Sequence, residues 1–306
     1  MSYFVGVDGG GTRTTVVLAD DTGAELRRVT GPASLVDAAE PAASARVVAR
    51  IVRGVVVDAG LALPVTALCV GLAGAGQVSP RAVVQEALEA AGLAQRVAVV
   101  TDGHLAVHGA LGERPGLLLL AGTGSIAYAK AADATIHRCG GWGTVLGDEG
   151  SAYSIGRAAL RAALRAVDGR GPVTTLLGAL LAETSSDTPR DLPAWVGRVT
   201  KAEVATLARV LVDEARHGDV VAKRILEDGA YALACHLPPL LAWLREQRGG
   251  RASPPIPLVF HGGMFRFPSY KTLVWSAVED LVPGVVALQE AEADAATGAV
   301  RLAQSL

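Results

Sequence analysis

The chain has 306 residues, half of them hydrophobic and 19% charged, with 28 basic against 30 acidic side chains for a net charge of −2. That balance fits a globular protein long enough for two domains, excludes a disordered chain, and has no charged block to offer nucleic acid or a membrane surface. There is no run of about 18 uncharged apolar residues, no secretory pattern in the opening MSYFVGVDGG, and no disulfide framework in the odd, distant set Cys69, Cys139 and Cys235, so the expectation is a cytoplasmic protein.

In chain order, Tyr3–Asp8 and Thr14–Ala19 predict two short strands joined by a glycine turn, and Glu25–Thr30 predicts a third after the DDTG turn. Ala39–Ala59 has helical spacing, and Val65–Gly71 reads as a buried strand followed by GLAGAG. Pro80–Ala91 reads as a helix with Ser79 as its N-cap. Val97–Thr101 is a strand and His104–Leu111 a helix. The pattern then restarts: GLLLLAGTGSIAYAK, from Gly116, is again strand, small-residue turn and strand, a weak internal repeat. Helices are expected over Glu149–Val167 and through most of the chain to Gln247, then a loop over Arg248–Pro255. Strand Ile256–His261, helix Ser269–Leu281, strand Val285–Ala287 and helix Ala291–Gln304 close the chain. The expected division falls at ERPG, Glu113–Gly116, giving an N-terminal domain of residues 1–115 and a larger C-terminal domain of 116–306 whose final helix packs back on the first. Two α/β halves with similar turns suggest a ligand cleft between them.

Three glycine-rich turns carry the first chemical signal. In DGGGT, the bare backbone of Gly10 and Gly11 and the hydroxyl of Thr12 offer donors to a phosphate, and Asp8 offers a carboxylate to Mg²⁺, through water. A hairpin with a glycine bulge explains this stretch equally well. It is neither a Walker A loop nor a dinucleotide fingerprint, because no lysine follows and the glycines lead into a strand. AGTGS repeats the offer with Thr123, Gly124 and Ser125, and HGG supplies Gly262 and Gly263. Asp102, at the end of a strand, is placed to accept a proton from an attacking hydroxyl; alone, it reads better as the cap of the following helix. CGGWGTVLGDEGS, with five glycines from Gly140 to Gly150, is too costly in chain entropy for a plain connection and reads as a polar ligand pocket. The six histidines form no metal constellation, and His104 with His108 reads as structural.

Taken together, DGGGTRT, TDG, AGTGS, CGGWGTVLGDEGSAY and HGG resemble, over essentially the whole chain, the N-acetylglucosamine kinase branch of the BadF/BadG/BcrA/BcrD ATPase grouping in the sugar kinase/Hsp70/actin superfamily. The resemblance implies two RNase H-like, actin/hexokinase-type domains with ATP and Mg²⁺ between them. It implies phosphate contacts from Gly10, Gly11, Thr12, Thr123 and Gly124, a place near Mg²⁺ for Asp8, and the role of catalytic base for Asp102. Sugar contacts fall to Ser125, Gly141, Trp142, Gly143, Thr144, Val145 and Asp148, as well as Asp102. Adenosine contacts fall to Ala215, Gly262 and Gly263. The implied activity is phosphorylation of the 6-hydroxyl of an amino sugar, N-acetylglucosamine or glucosamine, with N-acetylmuramic acid as an alternative. A homodimer is expected. Leu35 and Ile126 stand where relatives carry asparagine, so the sugar pocket is expected to differ. The other branch, ATPases that activate a dehydratase, needs two exposed cysteines; Cys69 in a strand and Cys235 within a helix are expected not to supply the partner of Cys139.

Overall fold

The computed structural model describes residues 1–247 and 255–306. The expected loop at Arg248–Pro255 lies outside the described residues except for Pro255. The chain divides into two compact units, residues 1–114 with 290–306, and residues 115–289.

The first unit holds a five-stranded sheet, β1 (Phe4–Gly9), β2 (Thr14–Ala19), β3 (Glu25–Gly31), β4 (Val65–Leu72) and β5 (Ala94–Thr101), in the order β3-β2-β1-β4-β5. The first three strands pair antiparallel, and β4 and β5 run parallel to β1. Strand alternation sorts its residues. Val5 and Val7 join Val48 and Val52 of α1 (Pro41–Asp58) and Val84 and Leu88 of α2 (Val78–Ala90) in one core. Phe4, Val17 and Cys69 join Leu105 of α3 (Asp102–Leu111) and Ala296, Ala299 and Val300 of α11 (Ala295–Ser305) in another.

That second face is packed backbone against backbone. A Cβ on Gly6 would stand 2.5 Å from Ala296 O and Val300 N, and one on Gly298 would stand 2.5 Å from Gly109 N and Leu105 O. Glycine at these positions lets α11 lie directly on β1 and α3.

The second unit repeats the arrangement. Its strands, β6 (Gly116–Ala121), β7 (Ser125–Lys130), β8 (Ile136–Gly140), β9 (Ile256–His261) and β10 (Val286–Gln289), are ordered β10-β9-β6-β7-β8, with the same parallel and antiparallel pattern. This is the RNase H-like order, twice, in an α/β chain. Leu117, Leu119, Ala127 and Ala129 pack on a helical layer that includes α4 (Ala152–Val167), α7 (Lys201–Arg216), α8 (Val220–Ala234), α9 (Leu237–Gln247) and α10 (Pro268–Leu281). Two shorter helices, α5 (Leu176–Thr184) and α6 (Asp191–Val196), lie between α4 and α7.

Several local expectations need correction. Helix α2 begins at Val78 after Gln77, with no side-chain cap, so Ser79 is inside it. Helix α4 begins at Ala152 rather than Glu149: Gly150 is left-handed at φ +70°, and the Ser151 hydroxyl accepts from Ser154 N. Helix α11 begins at Ala295, capped by Asp294. Strand β8 was not expected, because its end merges with the glycine-rich run. Cys235 is the exposed C-cap residue of α8, not a covered mid-helix residue. Among the described residues, no helix is long and apolar enough to cross a membrane.

The close packing of α11 is testable. Gly298→Val should cost at least about 2–3 kcal/mol in denaturant unfolding, because the side chain meets backbone that cannot turn away. Gly54→Ala, inside α1 where a Cβ meets nothing within 4 Å, should instead stabilise the protein by about 0.5–1 kcal/mol.

Candidate active site

In the first unit the parallel strands β1, β4 and β5 end side by side, with Gly9 opposite Leu72 and Leu72 opposite Thr101. Asp8 is the second-last residue of β1, and alternation turns it toward the face covered by α3 and α11. Asp102 opens α3 directly after β5. It is not the cap: the Thr101 hydroxyl accepts from His104 N at 3.2 Å, and Asp102 Oδ1 accepts from Gly103 N at 2.8 Å. Asp102 itself is exposed.

The carboxyl of Asp8 titrates near pH 6, up from 3.8. Burial is the largest cause, followed by the charges of Asp102 and Asp294; Arg13 opposes them. Asp294 caps α11 through Thr297 N at 2.8 Å and meets Arg28 Nη1 at 2.5 Å. Its proximity in space to Asp8 was invisible to a local reading, since the two are almost a chain length apart.

The β1–β2 turn closes with Gly10 N donating to Arg13 O at 2.9 Å, leaving Gly11 and Thr12 exposed. A Cβ on Gly9 would collide with Ser34 and Leu72, so packing explains that glycine. Packing does not explain the next two. Neither has positive φ, and among the described residues a Cβ on Gly11 would meet nothing within 4 Å, while one on Gly10 would touch only Arg13 O at 3.4 Å. What Gly11 provides is open backbone; Gly10 provides room beside it, its own N–H and C=O being taken by Arg13 O and Ser34 N.

The second unit has its own hairpin at the matched place. Gly122 N donates to Gly124 O at 2.9 Å, a Cβ on Gly122 would again meet nothing, and Thr123 is exposed. The first turn of α4 anchors this hairpin: Ala152 N donates to Gly122 O at 2.8 Å and Tyr153 N to Thr123 O at 3.3 Å. Asp148 is buried and left-handed at φ +61°, and its Oδ1 accepts from Ser125 N at 3.2 Å. The Ser125 hydroxyl donates to Glu149 O at 2.7 Å. Thr123, Gly124, Ser125 and Asp148 are therefore one cluster. Gly262 lies beside it, at φ +112°, where any side chain would strike the backbone of Ala121; Gly263 is open.

The glycine-rich loop is a defined structure. Gly147 N donates to Gly143 O at 2.8 Å, Arg157 Nη1 to Thr144 O at 3.2 Å, and the Arg138 guanidinium lies 4.9 Å from the Trp142 ring centre. Gly140, Gly141 and Gly143 are all left-handed, and a side chain on Gly141 would overlap Ile126. Thr144 is buried, whereas Trp142, Val145 and Leu146 are exposed, at 67%, 85% and 79%. Sequence reasoning missed Arg157 as the residue holding this loop, and missed His236. The His236 Nδ1 bonds to Leu233 O at 2.9 Å, and its Nε2 lies 3.7 Å from Glu149 Oε2. A GDEGS run beside a buried histidine carries no spacing signal that would have joined them.

Ala215, on α7, is set apart from this cluster in a cavity of about 510 Å³ between α7, α8 and α10, with Lys223, Leu226 and Leu273 among its walls. Leu35 is half exposed at 52%.

Two RNase H-like sheets, each carrying a glycine hairpin between its first two strands, define the actin/hexokinase type of fold. The model of the BadF/BadG/BcrA/BcrD ATPase family matches residues 5–303, and the chain belongs to that family. It is 34% identical to an N-acetylmuramic acid/N-acetylglucosamine kinase of Clostridium acetobutylicum over 76% of this chain and 77% of the relative. It is 30% identical to an N-acetyl-D-glucosamine kinase of Dictyostelium discoideum over 85% and 84%. The crystal structure of a putative N-acetylglucosamine kinase from Chromobacterium violaceum matches with a TM-score of 0.76 at 28% identity, over 99% of both chains.

Asp8 yields a pH test. Its carboxyl binds a proton more tightly folded than unfolded, so the Asp8 contribution to stability falls as pH rises from about 4 to about 6 and then levels. In metal-free buffer, Asp8→Asn should exceed wild type by up to about 3 kcal/mol above pH 6, with the gap closing toward pH 4. Equal denaturation midpoints at pH 8 would contradict the assignment.

Proposed function

We propose that this protein transfers the γ-phosphoryl group of ATP to a hydroxyl of an amino sugar, the 6-hydroxyl of N-acetylglucosamine or glucosamine, with N-acetylmuramic acid as the alternative acceptor. The observation that carries the reading is the pair of hairpins whose bare backbone at Gly11 and Gly122 is not required by the chain's own packing. The names of the similar kinases support the same chemistry.

On this reading the amides of Gly11 and Gly124 and the hydroxyls of Thr12 and Thr123 hold the phosphates of ATP, while Gly10, whose own N–H closes the turn on Arg13 O, lets them approach because it carries no side chain. Asp102 accepts the proton of the attacking sugar hydroxyl. It is exposed, and the amide of Gly103 engages one oxygen, which steadies the carboxylate and leaves its other oxygen for the acceptor. Asp148 and Ser125, with Gly141, Trp142, Gly143, Thr144 and Val145, hold the sugar. The Asp148 carboxylate is pinned by Ser125 N, so it meets a sugar hydroxyl without first losing side-chain freedom. Ala215, Gly262 and Gly263 take the adenosine end; the cavity beside Ala215 has apolar walls suited to a flat base.

Mg²⁺ fits the first unit electrostatically. Asp8 is strained by burial and by the charges of Asp102 and Asp294, and a cation relieves that strain. Among the described residues no three acidic, histidine or cysteine side chains form a chelating group, so Asp8 would hold the ion through water, as Mg²⁺ favours. When bound, the ion neutralises phosphate charge. A homodimer and a cytoplasmic setting belong to the same proposal.

The test is turnover with Mg-ATP against N-acetylglucosamine, glucosamine, N-acetylmuramic acid, N-acetylmannosamine and glucose. Sugar-dependent ADP release should appear with an amino sugar, and Asp102→Asn should lower kcat by about 10²–10⁴-fold. No sugar-stimulated turnover across the panel would overturn the reading. Asparagine tolerates the left-handed backbone of position 148, so Asp148→Asn should fold normally. It should raise the KM for the sugar by at least about tenfold, the loss of one charged hydrogen bond, with the KM for ATP unchanged.

A further inference from the structure

The outward side of α4 carries arginine at every fourth position: Arg157, Arg161 and Arg165. Helix geometry stacks them in a row with about 6 Å between neighbours. They rim a groove of about 310 Å³ whose floor includes Ala158, Ala162 and Ile225 of α8. The groove continues into a recess of about 560 Å³ that shares Ala162, Arg165 and Ile225 and adds Val221, Arg170 and Arg224.

Most of this positive charge is already engaged. Arg170 meets Asp168 at 2.5 Å and Arg224 faces Asp228 at 4.0 Å. Arg157 donates to Thr144 O and lies 5.7 Å from the Tyr153 ring centre. Arg161 and Arg165 are different: among the described residues neither guanidinium has a hydrogen bond or ion pair. Like charges four residues apart destabilise a helix. α4 therefore holds two uncompensated cations over an apolar floor, a local conflict of the kind that marks a functional surface.

We propose that this groove binds a phosphate monoester with an apolar carbon body, its phosphate forked by Arg161 and Arg165 and its body seated on Ala158, Ala162, Val221 and Ile225. Guanidinium matches phosphate with paired hydrogen bonds where ammonium offers a point charge. The size of the groove and recess is that of a small-molecule site, and the carboxylates of Asp168 and Asp228 interrupt any longer basic track that a nucleic-acid backbone would need. The groove shares no residue with the hairpins, Asp102 or Asp148. Its test reads binding rather than turnover, so its failure and that of the kinase reading are separate results.

The experiment is calorimetric titration of the whole protein with phenyl phosphate, inorganic phosphate and phenol at low and physiological salt. Phenyl phosphate should bind, weaken with salt, and exceed inorganic phosphate by at least tenfold, with phenol showing no binding. Arg161→Ala/Arg165→Ala should weaken phenyl phosphate at least tenfold, while its thermal midpoint equals or exceeds wild type because a repulsion has been removed. The proposal is overturned if phenyl phosphate shows no binding at millimolar concentration, if the double variant binds it equally well, or if inorganic phosphate binds as tightly.

Discussion

The first unit is built around backbone contact. Gly6, Gly109 and Gly298 bring β1, α3 and α11 to a separation that no side chain could share. Everything acidic in that unit's candidate site hangs on this contact: Asp8 rides on β1, Asp102 opens α3, and Asp294 caps α11. The burial of Asp8, with the charges of Asp102 and Asp294 added to it, holds its carboxyl near pH 6, and both follow from how tightly the three elements are drawn together. Arg28 offsets part of that charge by pairing with Asp294 and Glu25.

The second unit solves a different problem. Its hairpin is fixed by amides from the first turn of α4, and its glycine-rich loop by the side chain of Arg157 one helical turn further on. One helix thus orients both the AGTGS turn and the loop that ends at Asp148. Left-handed residues crowd this stretch, at Gly140, Gly141, Gly143, Asp148 and Gly150. Such conformations persist where surrounding structure over-determines them, and they accumulate at binding sites. Asp148 is the telling case: a non-glycine residue in that region, buried, with its carboxylate accepting from Ser125 N.

Legibility from sequence followed the range of the cause. The hairpins, the strand endings and the restart at Gly116 were readable because turn chemistry and strand periodicity are local. The shared strand order of the two sheets was foreshadowed only by the repeated strand-turn-strand. Strand β8 was hidden, because His137, Arg138 and Cys139 lack an apolar alternation and run straight into glycines. The cap at Thr101 rather than Asp102, and the exposure of Cys235, depend on one residue of helix phase, which periodicity does not resolve. The nearness of Asp294 to Asp8, and of His236 to Glu149, is purely tertiary.

The placement of α11 also bears on how the chain comes off the ribosome. Ala296, Ala299, Val300 and Ala303 complete a core begun by Phe4, Val17 and Cys69, yet they are made after the entire second unit. Translation proceeds from the N-terminus, and domains ordinarily fold as they emerge. Here the first unit must wait, with one face of its sheet covered by α3 but not by α11, while the second is synthesised. A chain wired this way has a built-in dependence on its own completion: a ribosome that stalls inside the second unit leaves a first unit in which the apolar side chains that α11 would cover stay open to water.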